Sequence, residues 1–281
     1  MNQREINIVF VGCHPDDEAI WCGGLLYELS RFPFVRMHVI CVSGKDEASR
    51  REAEFLSAKE VARYASGVVL GMPLRGANDP LPDVGVSVES GLKQIDLEKN
   101  KIDLVVTHSP YGDEHLHPHH VQAHFSVKSW AKKNKIPFGF FSILPIPHLI
   151  HKNILLQTRR KGTFQFLSVA KCCPAPSPLF YLFNLGSWVV KTRPKYFLQV
   201  LTDLEVKKRM LNCYQSVDLK VFENGYAAFT NPCESLYLQD KNGMKPFLEV
   251  MKLMEVNGSP ILFNGPVFLQ KVARRLGKLF S

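Results

Sequence analysis

The sequence predicts an α/β fold, a mostly parallel sheet with helices on both faces. Three observations predict it. Apolar runs of strand length recur through the first half of the chain, at 6–11, 34–42, 67–70, 102–106 and 138–141. Longer charged stretches with helical spacing separate them. Two of the apolar runs break directly into dense polar clusters, and open α/β sheets place their sites at the carboxyl ends of strands. Strands alternating with helices at this spacing pair in parallel through right-handed crossovers, which brings every strand end, and both clusters, to one edge.

The first strand holds Ile6, Ile8, Val9, Phe10 and Val11, then opens into His14-Pro15-Asp16-Asp17-Glu18 and a helix over 18–31. Pro15 stiffens the turn. The three carboxylates fall where a helix dipole favours negative charge. An acidic helix cap with no chemistry reads the same way at this point. Gly23 and Gly24 would let this helix approach the sheet or a substrate closely. A strand over 34–42, a charged helix over 48–65 and a short strand over 67–70 follow. The proline- and glycine-rich stretch 71–85 reads as a loop over the site or an ordinary connection. A helix over 86–100 leads to the strand 102–106.

The second cluster follows that strand. His115, His117, His119, His120 and His124 are five histidines within ten residues, half of the ten in the chain. One histidine on an apolar face is usually structural, but five at a strand end are hard to explain by packing. Histidine is the commonest metal ligand and the side chain that titrates near neutrality. The cluster therefore points to a metal site, with a solvated polar loop as the other reading. A helix over 119–132 puts His120 and His124 on one face, and a fifth strand covers 138–141.

The alternation dissolves after residue 144. Residues 145–194 hold six prolines with scattered apolar runs. They read as a cap packed on the sheet or as a hydrophobic wall for an apolar substrate portion. Strand character returns at 196–201 and a helix with an acidic start at 203–216. We divide the chain into a core, 1–144, and a cap or insertion region, 145–281, containing that strand and helix and a basic amphipathic tail. In the tail, 266–281, Phe268, Leu269, Val272, Leu276, Leu279 and Phe280 alternate with Lys271, Arg274, Arg275 and Lys278. Such a helix lies on an anionic membrane or packs on the protein body.

Composition narrows the class. In 281 residues, 46% are hydrophobic and 22% charged, as in ordinary globular proteins. The seven cysteines lack C-x-x-C spacing and read as reduced thiols suited to the cytoplasm. Neither a signal peptide nor a spanning apolar run is expected. The formal charge of +9 favours anionic partners without selecting one. No nucleic-acid-binding motif appears, and the oligomeric state is not legible. A nucleotide-binding protein would carry G-x-G-x-x-G after the first strand, where this chain has VGCHPDDE.

The pair CHPDDE and THSPYGDEHLHPHH resembles the LmbE/PIG-L-like family of zinc-dependent N-acetylglucosaminyl deacetylases over roughly residues 5–135. A weaker echo of that family's late helix lies in Asp203, Lys207 and Tyr214-Gln215-Ser216. The resemblance implies a Rossmann-like sheet and a bound Zn2+, or another divalent metal such as Fe2+. It implies His14, Asp17 and His120 as metal ligands, Asp16 as general base, and His117 as the protonated group that polarises the acetyl carbonyl or its oxyanion. The implied reaction removes the N-acetyl group from an amino sugar or its glycan, lipid or nucleotide conjugate. The implied setting is the cytoplasm, at the inner face of a membrane if the tail binds one. Arg50, Arg51 and Arg75 are candidates for an anionic substrate group.

Two positions depart from the family pattern. Cys13 replaces alanine, and His119 stands where aspartate is usual, which leaves open what supports His117 or His120; Asp113 and Glu114 are candidates. His115 and His124 are the runner-up ligands, and His108, His115 and His124 read otherwise as supporting or surface polar groups. A catalytically impaired carbohydrate-binding or scaffold protein on the same fold is the alternative to an enzyme.

Overall fold

The computed structural model describes residues 4–44, 48–72, 81, 83–110, 117–142, 196–201, 204–217, 233–238 and 261–264. The expectations for 73–80, His115, Asp113, Glu114, Arg75, the stretch 145–194 and the tail 266–281 lie outside them. The elements in chain order are β1 (Ile6–Gly12), α1 (Asp17–Ser30), β2 (Val35–Ser43), α2 (Ala48–Ala62), β3 (Ser66–Met72), α3 (Val84–Gln94), β4 (Ile102–Thr107), α4 (Pro118–Lys133), β5 (Phe138–Ser142), β6 (Tyr196–Leu201), α5 (Leu204–Leu211), β7 (Cys233–Leu238) and β8 (Ile261–Asn264).

Among the described residues the strands form one sheet in the order β3-β2-β1-β4-β5-β7-β6-β8. The first five pair in parallel, and the last three add antiparallel. The fold is α/β, a mostly parallel sheet flanked by helices. Chain direction across the sheet reverses between β1 and β4, the switch point where such sheets bind ligands.

Alternation along β1 divides the core. Ile6, Ile8 and Phe10 pack in one apolar cluster with α1, α2 and α5, while Val9 and Val11 pack in the other with α3 and α4. Successive side chains of a strand point to opposite faces, and both faces are covered here, which is why the strand reads as a continuous apolar run.

Three elements differ from their sequence expectation. α3 starts at Val84 because the Asp83 carboxylate accepts the Gly85 and Val86 amides. It stops at Gln94 because Asp96 takes a positive φ of 53°. The late helix ends at Leu211, and tight turns carry the chain to Tyr214 and Gln215. The Gly23 site faces α5 rather than the sheet: a Cβ there would come within 3.0 Å of Met210 Sδ.

Candidate metal centre and active site

Two turns meet at the switch point. Thr107 Oγ1 donates to the Val11 carbonyl at 2.7 Å, tying the end of β4 to β1. At the end of β2, the Ser43 amide and hydroxyl both donate to the Cys13 carbonyl, at 3.0 and 2.6 Å. Gly44, at φ +112°, lies against Pro15, where a Cβ would come within 2.6 Å of the ring. The second turn is set by α4. Pro118 opens that helix, and the His117 Nδ1 accepts the His119 amide at 3.3 Å as its cap. In the neutral ring this assigns the proton of His117 to Nε2.

Asp17 is the centre of the cluster and is almost wholly buried. Its Oδ2 accepts the amides of Cys13 and His14 at 2.8 and 2.7 Å and lies 3.1 Å from His108 Nε2. The Cys13 amide also passes 3.2 Å from that nitrogen. The shorter bond of that amide to the carboxylate makes His108 Nε2–H the third donor to Asp17 rather than an acceptor. The other oxygen, Oδ1, is 3.2 Å from His120 Nε2. Burial pushes the Asp17 carboxyl up, but His120, His108 and His14 together outweigh it and hold it well below the usual range. Burial, with His120 next, lowers His108 to about 4, so this ring is neutral at pH 7.

Potential ligand atoms gather in two adjoining sets, Cys13, Asp17, His108 and His120, and His14, His117 and His119, each within 4.8 Å. Ring orientation selects among them. An imidazole offers its lone pair in its own plane. His108 and His120 are stacked, 4.0 Å apart and 2° from parallel, so they cannot both aim at one ion. His117 stacks on His120 too, at 4.6 Å and 25°. His14 is tilted 52° from His120. Its Nδ1 lies 3.3 Å from His120 Nε2 and 3.6 Å from Asp17 Oδ2. Bonds of about 2.0–2.2 Å to a tetrahedral ion separate its ligands by roughly 3.3–3.6 Å. The spacing of His14, Asp17 and His120 is compatible with one divalent ion on that measure, while the stacking of His108 on His120 keeps both of those rings from facing the same ion.

Asp16 is buried beside this set and caps α1 through its backbone, with the carbonyl accepting from Ala19 and Ile20. Its side chain makes no cap hydrogen bond, and its φ is +151°. Burial, then Asp17 and Glu18, raise its carboxyl well above the ordinary value, against the pull of Arg51 and His120. Arg51 is therefore close to the site, whereas Arg50 pairs with Glu54 at 3.1 Å.

His124 stands apart. Its Nδ1 donates to the His108 carbonyl at 2.8 Å and its ring packs on Phe125, Phe138 and Phe140. It holds the backbone of His108 and is not among the grouped ligand atoms.

Two features escape the sequence. His14 Nε2 meets His119 Nδ1 at 3.3 Å, so His119 faces a residue of the other turn. Behind α1, Glu18 accepts from Tyr214, and Glu234 binds both Lys207 and the Gly24 and Leu25 amides. Tyr214 and Lys207 fall in the weak late-helix echo, but nothing in sequence marks Glu234.

The structure resembles the zinc-inhibited form of teicoplanin deacetylase Orf2, at 14% identity, over 83% of this chain and 97% of that one, with a TM-score of 0.49. It also resembles GalB, a 4-carboxy-2-hydroxymuconate hydratase from Pseudomonas putida KT2440, at 14% identity over 83% and 95%, with a TM-score of 0.43. These two carry out different reactions, so the likeness favours neither. A relative in sequence is the 1D-myo-inositol 2-acetamido-2-deoxy-alpha-D-glucopyranoside deacetylase of Corynebacterium diphtheriae, 28% identical over 165 residues. That alignment covers 49% of this chain and 56% of the relative, so the chain spans little more than half of that protein's length. Residues 9–131, which contain both turns of the site, match the family model PIG-L, described as GlcNAc-PI de-N-acetylase.

Proposed function

We propose that the chain is a zinc-dependent N-deacetylase that removes the acetyl group from an N-acetylated amino sugar or its conjugate. The observation that carries this reading is the convergence of His14 Nδ1, His120 Nε2 and Asp17 within 3.6 Å of one another, with Asp16 buried beside them. A divalent ion held by these three residues would acidify a water and polarise a carbonyl.

The remaining work falls to the chain. Asp16 takes a proton from the water that attacks the acetyl carbon. A base is most effective when its pKa lies near the working pH, and burial with two neighbouring carboxylates moves Asp16 in that direction. As the carbon–nitrogen bond breaks, Asp16 returns the proton to the leaving amine, and acetate departs. His117 offers Nε2–H to the acetyl oxygen, because its Nδ1 is engaged by the His119 amide. Arg51 suits an anionic part of the substrate. The buried thiols of Cys13, Cys22 and Cys41 suit a reducing compartment, and we place the protein in the cytoplasm. Among the described residues, no helix is long and apolar enough to cross a membrane.

The test is amine release by the zinc-loaded chain from N-acetylglucosamine glycosides, nucleotide sugars and glycolipids. Asp16→Asn should keep the metal and lose turnover by about 100- to 10,000-fold. A zinc-loaded protein that releases amine from none of these, yet binds one of them, is the carbohydrate-binding alternative instead.

A further inference from the structure

We propose that His119 is a positioning residue for His14: it sets the ring orientation and tautomer of that ligand, and through it the affinity of the site for a divalent ion. This rests on the metal-site reading above. For His14 to direct the Nδ1 lone pair toward Asp17 and His120, its proton must sit on Nε2. That nitrogen lies 3.3 Å from His119 Nδ1. His14 Nε2–H therefore donates to the Nδ1 lone pair of a neutral His119.

The acceptor is held firmly. His119 is 3% exposed. Its amide donates to the His117 ring at 3.3 Å, and its carbonyl accepts from the Cys13 thiol at 3.3 Å. Cys13 directly precedes His14, so His119 meets the first turn at two points, by its carbonyl to Cys13 Sγ–H and by the paired imidazoles. The rings of His14 and His119 sit 5.5 Å apart at 40°. That contact fixes the His14 ring at the nitrogen not directed toward Asp17 and His120.

Metal-bound histidines usually donate their second N–H to a carboxylate, a carbonyl or water, and losing that partner costs about 10- to 100-fold in metal affinity. Here the acceptor is a neutral imidazole. It fixes the tautomer but adds no negative charge. The site consequently holds its ion less tightly than it would with a carboxylate at the same point.

Asparagine and aspartate place an oxygen near where histidine has Nδ1, fill the same space as each other, and differ in charge. Leucine fills space and accepts nothing. Zinc affinity of the full chain, measured at fixed pH by competition with a chromophoric chelator, should fall about 10- to 100-fold in His119→Leu. It should stay near the wild-type value in His119→Asn and rise above it in His119→Asp. Circular dichroism and the thermal midpoint in excess chelator report whether each variant folds. If the leucine variant does not fold, the asparagine–aspartate pair decides alone, since a packing role would affect both equally. Equal affinities in those two, or a folded leucine variant with wild-type affinity, overturn the role of His119 and leave the metal site standing. A wild-type chain that binds no zinc removes both.

Discussion

Lys207→Met tests whether the elements beyond residue 131 are built into the framework of the site. Lys207 and Glu234 form an ion pair of 2.8 Å with side chains 1% and 2% exposed. Glu234 also accepts the Gly24 amide at 3.3 Å and the Leu25 amide at 2.6 Å, in the middle of α1. Methionine keeps the length of the lysine and removes its charge, leaving a buried carboxylate behind. Breaking one side of a buried pair costs about 3–5 kcal/mol. The two amides still bind the carboxylate, so we expect the lower end, about 3 kcal/mol. Adding Glu234→Gln removes the stranded charge and keeps an acceptor for α1. The double variant should recover much of the loss, with a coupling of about 0.5–3 kcal/mol. Equilibrium urea unfolding followed by circular dichroism reads both values, provided the slope is unchanged. A cost under about 1 kcal/mol, or single effects that simply add, would refute the view that this pair anchors α1.

Tyr214→Phe removes the hydroxyl that donates to Glu18, one residue from Asp17. Burial already pushes the Glu18 carboxyl up to about 7 against that bond, so the variant should lose about 1–3 kcal/mol in the same unfolding assay, and an unchanged midpoint would count against the bond. Gly44→Ala imposes a side chain at φ +112° and drives it into the Pro15 ring; we expect a loss of about 2–4 kcal/mol together with weaker zinc binding, and normal values for both would mean that the turn is not held from this side. His124 contributes a pH dependence. Burial, opposed by its bond to the His108 carbonyl, lowers its pKa from 6.5 to about 4. The unfolded chain thus gains a proton at a pH where the folded one does not, so stability is complete above pH 6.5 and declines as pH falls toward 4. Between pH 7 and 5 this amounts to about 2 kcal/mol. His124→Gln should flatten that slope, and an unchanged slope would assign the acid sensitivity elsewhere, His38 being lowered to about 4 in the same way by burial and Arg36.

The sheet was legible because its strands are buried on both faces. Ile6 to Val11 reads as apolar without interruption when helices cover both sides, and the polar turn after it marks the carboxyl edge. The joining of the two turns was legible for the same topological reason, since parallel strands bring their ends to one side. What sequence does not carry is the direction in which a side chain points once two segments meet. Five closely spaced histidines differ little as letters. In space His120 stacks against both His108 and His117, His119 turns to His14, and His124 turns to Phe138 and Phe140. Glu234 was invisible for another reason. Its partners, Lys207 and the amides of α1, lie 27 and more than 200 residues away.

The case against an inert site rests on Asp16. An aspartate that served only to begin a helix would use its carboxylate for the free amides of the first turn, a bond worth about 1 kcal/mol. Asp16 caps α1 with its backbone alone, and its side chain takes no part in the cap. Its φ of +151° adds a cost on the order of 1–3 kcal/mol for a residue other than glycine. Its carboxyl is also buried beside two others, which raises the free energy of its charged form. Each feature opposes stability, and none is needed for an acidic cap or a packed turn. They have a common consequence: a carboxyl held next to His14, Asp17 and His120, not consumed by the helix, with an increased affinity for a proton. A binding protein gains nothing from that arrangement, whereas a hydrolase needs a base of this kind. Asp16→Gly should therefore relieve backbone strain and the burial of a charge while abolishing turnover. Unfolding measurements that show no rise in stability for Asp16→Gly over Asp16→Ala would remove the strain from this reasoning.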